Sequence, residues 1–337
     1  FSGYSNLQNQ SDVSTFVDQI IEEAYFRLFF NKFDIEAGYM KIIWGKGDEV
    51  FTFDNLNATD YSDFINPSYM DRKISEAMIK LNVPFGMQGM VEAVYTPVFT
   101  PDINPTDGVW VQSDYEALED TSTIAHSQLG FRITNSIRGF DLGTSYQFTF
   151  LREPVVDLSI TDSLPVSWER IHLFGLETAF VILGFNIRSE AAYYMTSDFA
   201  GDDPLVYNNR LLYLFGFDRD LLVHNLSINI QGRGEIKTGS DNISLSDIEY
   251  DPTGVYKSHL IEGGLRDSFL NERIIAELNG AYSIEDEDFM IMPEFRINLV
   301  EDTWVNMKYT FYYGDSNTLF GQFEDNDFLE IRMEYSF

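Results

Sequence analysis

The chain has 337 residues, a formal net charge of -32 and no cysteine. This acidity excludes the basic surface that nucleic-acid recognition needs, and the lack of cysteine excludes disulfides and thiolate sites. No stretch approaches the roughly 18 to 20 apolar residues of a membrane-spanning helix. The chain is therefore either soluble or crosses a bilayer as a closed barrel, in which every second residue need be apolar.

Apolar and polar residues alternate with a period of two along most of the chain. In residues 140–150, for example, Phe140, Leu142 and Tyr146 share one face and Asp141 and Gln147 share the other. Alternation of this kind is typical of a strand with two unlike faces. It predicts fifteen strands, centred near 17–30, 33–43, 72–83, 86–98, 123–135, 138–151, 167–182, 184–197, 206–217, 221–237, 255–268, 271–284, 288–299, 303–313 and 325–337.

The connections between these strands are of two kinds, which alternate along the chain. Tight turns such as 31–32 and 135–138 are followed by long polar segments. The long segments are 44–70, 99–121, 152–165, 197–205, 238–254 and 314–325. Short turns at one end and long loops at the other are typical of an outer-membrane barrel, whose long loops are extracellular. A soluble sandwich has no reason to collect its long loops at one end.

The last eleven residues, DFLEIRMEYSF, carry the cleanest alternation and end on an aromatic residue. Their apolar face consists of Leu329, Ile331, Met333, Tyr335 and Phe337. This ending resembles the C-terminal signal that the barrel-assembly machinery reads in bacterial outer-membrane barrels. The resemblance implies a Gram-negative (diderm) outer-membrane β-barrel of the porin or substrate-channel type. It also implies that Tyr335 and Phe337 form the assembly signal and that the C-terminus is periplasmic.

We therefore predict an all-β fold, a single antiparallel transmembrane β-barrel of about 16 strands with a range of 14 to 18. Residues 1–337 form one domain with short periplasmic turns and long extracellular loops. Bacterial single-chain barrels usually have an even number of strands, so an upward strand should precede the one at 17–30. Residues 1–7 are then the upper end of an incomplete N-terminal strand. A barrel of this size leaves an aqueous channel rather than a filled core.

The loop at 44–70 mixes aromatic and acidic residues, and a purely solvated loop has no use for so many aromatics. It either folds into the lumen as a constriction or packs over the mouth, and a self-packed external loop is the alternative. The constriction candidates are Trp44, Asp48, Asp54, Asp60 and Asp63. A Trp-Gly after a strand, an Asp-rich stretch and Asn66-Pro67 resemble loops of substrate-specific and alginate-export-like barrels.

The face opposite the apolar one carries charges of both signs. The pore-lining candidates are Glu36, Glu92, Arg132, Arg188, Glu190, Arg233, Glu235, Glu277, Glu294, Arg296, Lys308, Glu330, Arg332 and Glu334. Opposed charges across a pore produce a transverse field that orients polar solutes. The alternative is that they pair along neighbouring strands and merely keep a wet wall neutral.

No metal or cofactor site is expected. Asp247, Glu249 and Asp251 have the spacing that opens an EF-hand calcium loop, but Pro252 stands where glycine is needed and Ser258 where the closing glutamate is needed. Carboxylates in the loops can still bridge divalent cations to lipopolysaccharide. The sequence contains no nucleophile elbow, zinc motif or phosphate loop, so we do not expect an enzyme.

The sequence thus predicts a channel in the bacterial outer membrane for passive diffusion of a small hydrophilic solute. Its expected partners are membrane lipid, lipopolysaccharide and, during biogenesis, the assembly machinery, but not nucleic acid. Two alternatives remain. One is a structural, adhesive or partner-binding surface barrel with an occluded pore, and the other is a transporter of hydrophobic molecules, which the charged inner face disfavours.

Overall fold

A computed structural model describes residues 22–62, 68–105, 116–117, 120–156, 165–300 and 303–335. Fifteen strands form one sheet in which each strand pairs antiparallel with the next along the chain. Their bounds are β1 (Ala24–Phe29), β2 (Asp34–Met40), β3 (Glu76–Phe85), β4 (Gly89–Thr96), β6 (Gln128–Ile137), β7 (Phe140–Phe150), β10 (Arg170–Ile182), β11 (Phe185–Met195), β12 (Arg210–Asp220), β13 (Ser227–Lys237), β14 (Lys257–Phe269), β15 (Ile274–Ser283), β16 (Asp288–Val300), β17 (Thr303–Tyr313) and β18 (Phe328–Tyr335). These strands confirm the all-β antiparallel prediction.

The other elements are short and lie in the long connections. Three strands form a small separate sheet, namely β5 (Glu116–Ala117), β8 (Val155–Val156) and β9 (Pro165–Ser167). A four-residue helix spans Tyr69–Arg72, and short 3-10 helices span Ile124–His126, Ser240–Asn242 and Gly321–Asn326. Within the described ranges, no helix is both long and apolar enough to cross a bilayer.

The two ends of the sheet differ as predicted. At one end the strands are joined by tight turns, such as 138–139 and 183–184; at the other they are joined by the long connections. One connection at the long-loop end is short: residues 284–287 join β15 to β16. We call the long-loop end the upper end.

The two faces of the sheet also differ, and the strand registers show that each side chain keeps its face from strand to strand. One face is apolar and open, and its exposed side chains include Ile79, Phe131, Leu176, Phe215, Ile261, Leu278, Phe295 and Ile331. The opposite face carries the charged and amide residues. An exposed apolar face over this whole width, with a polar face behind it, is the arrangement of a transmembrane barrel wall.

The polar face is the concave one. Residues of the segment 44–50 lie against the polar face of β6 and also line a cavity with β16. On a flat sheet, eight strand spacings of about 4.8 Å would separate β6 from β16 by about 38 Å. Seven extended residues reach only about 25 Å. The sheet therefore curves around this segment, and the apolar face is convex.

The described edges of the sheet are β1 and β18. Both run toward the lower end, so an antiparallel closure requires a strand of the opposite direction between them. Residues 1–7, which are predicted to form the upper end of that strand, lie outside the described residues.

Candidate functional site

The first long loop folds onto the concave face of the sheet. Trp44, Phe53 and Leu56 are fully buried in a cluster with wall residues of β2, β3, β4, β10 and β11. Two glycines of the wall leave room for their rings. A Cβ on Gly130 would lie 2.8 Å from the Trp44 ring, and a Cβ on Gly175 would lie 2.7 Å from the Phe53 ring. Among the described residues, the larger apolar cluster thus joins this part of the loop to the concave face of the sheet.

One carboxylate holds the loop to the wall. The Glu190 side chain on β11 accepts hydrogen bonds from the backbone N–H groups of Lys46 at 2.5 Å, Gly47 at 2.6 Å and Thr52 at 2.7 Å, and from the Thr52 hydroxyl at 2.9 Å. Gly45 makes this turn possible, since its φ is +132° and a Cβ there would lie 2.6 Å from the carboxylate. Charge-assisted hydrogen bonds of this kind are about twice as strong as neutral ones.

The upper part of the loop is fixed by a second buried pair. Lys73 Nζ lies 2.6 Å from Asp54 Oδ2, and both side chains are almost completely excluded from solvent. Lys73 also donates to the Ile42 carbonyl at 2.7 Å. Burial lowers the pKa of Lys73 from its ordinary range, against the attraction of Asp54. Removing either partner leaves an uncompensated buried charge, so this pair fixes one loop geometry.

The described part of the loop packs against one side of the lumen. On the filled side, the inward side chains of Glu177 and Glu190 are nearly fully buried. On the side formed by β13 to β18, inward charged side chains remain open, with exposures of 44% for Arg233, 47% for Arg266 and 44% for Glu334. Charged side chains on a concave face stay this exposed only where water reaches them. The open space is therefore eccentric.

Two cavities lie between the loop and the open wall, one above the other. The upper chamber is about 240 Å³ and is lined by Gln231, Glu262, Ala281, Met290 and Met292, among others. The lower chamber is about 420 Å³ and includes Asp218, Ser227, Arg266 and Glu277. Four residues line both chambers and form the boundary between them, namely Asp48, Asn229, Gly264 and Asn279. We call these four residues the shared ring.

Asp48, at the tip of the loop, is the loop's contribution to the shared ring. Its carboxylate accepts from the Asn229 amide and lies 3.5 Å from Arg188 Nη2, while its N–H donates to Gln231 Oε1 at 3.0 Å. These contacts fasten the tip to β11 and β13. Gly264 pairs with Asn229 in the β13–β14 ladder, and a side chain on Gly264 would have to displace the neighbouring Asn279 amide.

The structure separates the loop candidates. Asp48 faces the passage, Trp44 is buried in the core and Asp54 is buried against Lys73. Asp60 lies near the upper end of the loop, where it bonds Ser62. Asp63 lies outside the described residues.

All fourteen pore-lining candidates lie on the concave face by strand register. Glu36, Glu92, Arg132 and Glu190 belong to the filled side or its margin. Glu277 lines the lower chamber. Arg188 contacts Asp48 and Asn229 of the shared ring, and Arg233 pairs with Glu262 of the upper chamber. Glu235 pairs with Arg210 at 3.3 Å near the upper end.

The other six candidates form a network on β16 to β18. Lys308 lies 3.0 Å and Arg332 lies 3.1 Å from Glu330, and Arg296 lies 3.5 Å from Glu334. Glu294 accepts from the Asn306 amide at 2.8 Å. Most of the charged side chains on β16 to β18 are thus paired within the wall, as in the alternative to a transverse field across the pore. Tyr335 lies on the convex face and is 66% exposed, and Phe337 lies outside the described residues.

Sequence reasoning missed the neutral residues of the site. Asn229, Gln231, Gly264 and Asn279 carry no charge, so the pattern of inward-facing charges does not identify them. Their positions in the alternating pattern could have identified them, because each falls on the polar face of its strand. Among the described residues, no group of three or more His, Cys, Asp or Glu is placed to hold a metal ion.

No family model matches the chain, and no curated protein sequence matches it. Its fold is similar to several solved outer-membrane proteins. One is Wzi of Escherichia coli, a carbohydrate-binding β-barrel involved in group 1 capsule assembly, with 13% identity over 93% of this chain and 70% of that one and a TM-score of 0.49. OccAB4 of Acinetobacter baumannii shows 11% identity over 92% and 73%, with a TM-score of 0.49. A mutant porin of Rhodopseudomonas blastica shows 10% identity over 94% and 89%, with a TM-score of 0.42. At this level of similarity, the strand registers of the chain itself define its fold as a barrel-type antiparallel sheet.

Proposed function

We propose that the protein is a channel for passive diffusion of small hydrophilic solutes, with its path on the open side of the lumen. The observation that carries this proposal is the pair of chambers joined at the shared ring, between the inward loop and the wall of β13 to β16. The lower chamber is lined mainly by polar surface, whereas the upper chamber is polar on one side only. A passage for hydrophobic molecules would need an apolar lining throughout, and the lower chamber, with Asp218, Arg266 and Glu277 in its wall, does not offer one.

We further propose that the barrel lies in the outer membrane with its C-terminus on the periplasmic side. Membrane lipid would then cover the convex apolar face, and the long loops would face outward toward lipopolysaccharide. The terminal alternation that ends on Tyr335 and Phe337 supports recognition by the barrel-assembly machinery.

Single-channel conductance of the refolded protein in a planar bilayer tests the channel directly, and two adjacent glycines supply a matched pair of variants. Gly264 lines the passage at the shared ring, whereas the side-chain position of Gly263 is on the convex face. We expect Gly264→Leu to lower the unit current, because the added side chain projects into the boundary between the two chambers. Gly263→Leu should leave the unit current unchanged.

The second candidate function is a surface-binding barrel with an occluded pore. It is favoured by the buried core inside the lumen, since Trp44, Phe53 and Leu56 fill space that a wide channel leaves to water. A folded barrel that passes no current would support this candidate and contradict the channel. Equal effects of the two leucine variants would also contradict the proposed path.

A further inference from the structure

The upper chamber has one polar and one apolar side. Gln231 and Glu262 face it from β13 and β14, and Asn279 faces it from β15. Ala281, Met290 and Met292 form the other side, and Met290 lies directly opposite Ala281 across the β15–β16 ladder. An apolar patch inside a polar lumen is unusual, because inward positions of such barrels are generally polar. The chamber therefore matches a solute that is itself polar at its edge and apolar on a face.

The carboxylates around the chamber already have partners. Glu49 accepts from the Tyr69 N–H at 2.5 Å, Glu262 lies 3.6 Å from Arg233, and Asp48 lies 3.5 Å from Arg188. A cationic solute would have to compete with these arginines. An anionic solute would approach three carboxylates. A neutral solute neither competes with the arginines nor is repelled by the carboxylates.

Hydrogen-bonding capacity remains open at the polar side. Among the described residues, the Asn279 amide makes no hydrogen bond, although it offers both an N–H donor and a carbonyl acceptor. In the Glu262 carboxylate, Oε2 is shielded beside Arg233 Nε, whereas the other oxygen, Oε1, makes no hydrogen bond within the described ranges. An amide beside a carboxylate oxygen matches neighbouring hydroxyl groups, because each hydroxyl both donates and accepts.

The size of the chamber limits the solute to about one ring. Its volume of about 240 Å³ is below the range of roughly 300–1,000 Å³ for sites that bind drug-sized molecules. The lower chamber continues from the shared ring, so a second ring of a linear solute has space there.

We propose that the upper chamber is a binding site for a neutral sugar ring, held by Asn279 and Glu262 at its hydroxyl edge and by Met290 and Met292 at its C–H face. This inference rests on the proposed function, because it names the class of solute that the channel takes.

Saturation-transfer NMR on the full chain tests the site without requiring any current. The protein is refolded in a detergent that has no sugar headgroup, and the probes are D-glucose, D-maltose and L-lysine. We expect transfer to the ring C–H protons of both sugars and little to lysine. Asn279→Ala should weaken sugar binding about five- to tenfold, the loss expected for one or two hydrogen bonds. Asn298→Ala, which removes the same group from the concave face outside both chambers, should leave it unchanged.

Three results would overturn the inference: no transfer to either sugar, equal binding in the two asparagine variants, or stronger transfer to lysine. If Asn279→Ala fails to fold, Met292→Ala provides the test, and sugar binding equal to wild type would then overturn the proposal. The outcomes separate this site from the channel. Unit current without sugar transfer contradicts the binding site alone, whereas sugar transfer without current contradicts the channel alone.

Discussion

At the scale of single residues, two glutamates of like charge face each other across β10 and β11. Glu177 and Glu190 are direct partners in the register, an arrangement that is destabilising when the charges are left to each other. Each has its own counterpart instead. Arg132 Nη2 lies 2.5 Å from Glu177, and the loop N–H groups surround Glu190. The charge of Glu190 beside Glu177 is therefore compensated only while the loop N–H groups are docked against it.

Glu190→Gln should loosen the loop. Glutamine keeps one acceptor oxygen but turns an N–H₂ group toward donors of the loop, which leaves buried donors unsatisfied at about 1–3 kcal/mol. We expect faster amide hydrogen exchange at Lys46, Gly47 and Thr52 and a noisier, larger unit current. Glu330→Gln is the control, since Glu330 pairs with Lys308 and Arg332 on β17 and β18. Exchange rates unchanged from wild type would show that the carboxylate is not the anchor.

At the scale of elements, the strands could be read from the sequence because their signal is local. Period-two alternation depends only on neighbouring residues, and all fifteen predicted strands overlap strands of the sheet. The surface against which the loop packs could not be predicted from such a local pattern. Its anchor joins residues 144 positions apart, Lys46 and Glu190, and nothing in the local pattern of either links them. The aromatic content of the loop indicated burial but not the partner.

Trp44→Ala should destabilise the docked loop by about 3–5 kcal/mol, the usual cost of truncating a buried tryptophan. The wall itself should persist, because its ladder hydrogen bonds do not pass through the loop. We therefore expect protease cleavage within 44–57 while the barrel band stays heat-modifiable on a gel. Trp304→Ala is the matched control, since Trp304 lies on β17 beside Arg296, on the opposite side of the lumen from the loop core. Loss of the folded barrel in Trp44→Ala would mean that the core inside the lumen also holds the wall together.

At the scale of the whole molecule, the net charge of -32 is not concentrated around the two chambers, where most carboxylates have cationic partners. Much of the excess lies in the upper loops. Residues 197–209 contain three acidic residues and residues 238–256 contain four, and neither segment contains a lysine or arginine. Backbone hydrogen bonds tie the two segments together, including Ile248 N–H to the Pro204 carbonyl at 3.0 Å. The acidic potential is thus held at the upper mouth.

A fixed acidic potential at the mouth concentrates cations there, and its reach depends on salt. The Debye length is about 10 Å at 0.1 M and about 3 Å at 1 M, so the mouth acts on entering ions only in dilute salt. We expect reversal potentials in a KCl gradient to show cation preference near 0.1 M that largely disappears near 1 M. Replacing Asp202 and Asp203 by asparagine should weaken the preference in dilute salt and leave the conductance in 1 M salt unchanged, because neither residue lines the chambers. A cation preference that persists in 1 M salt would place the selecting charge at the shared ring, on Asp48, where screening by bulk ions is weakest.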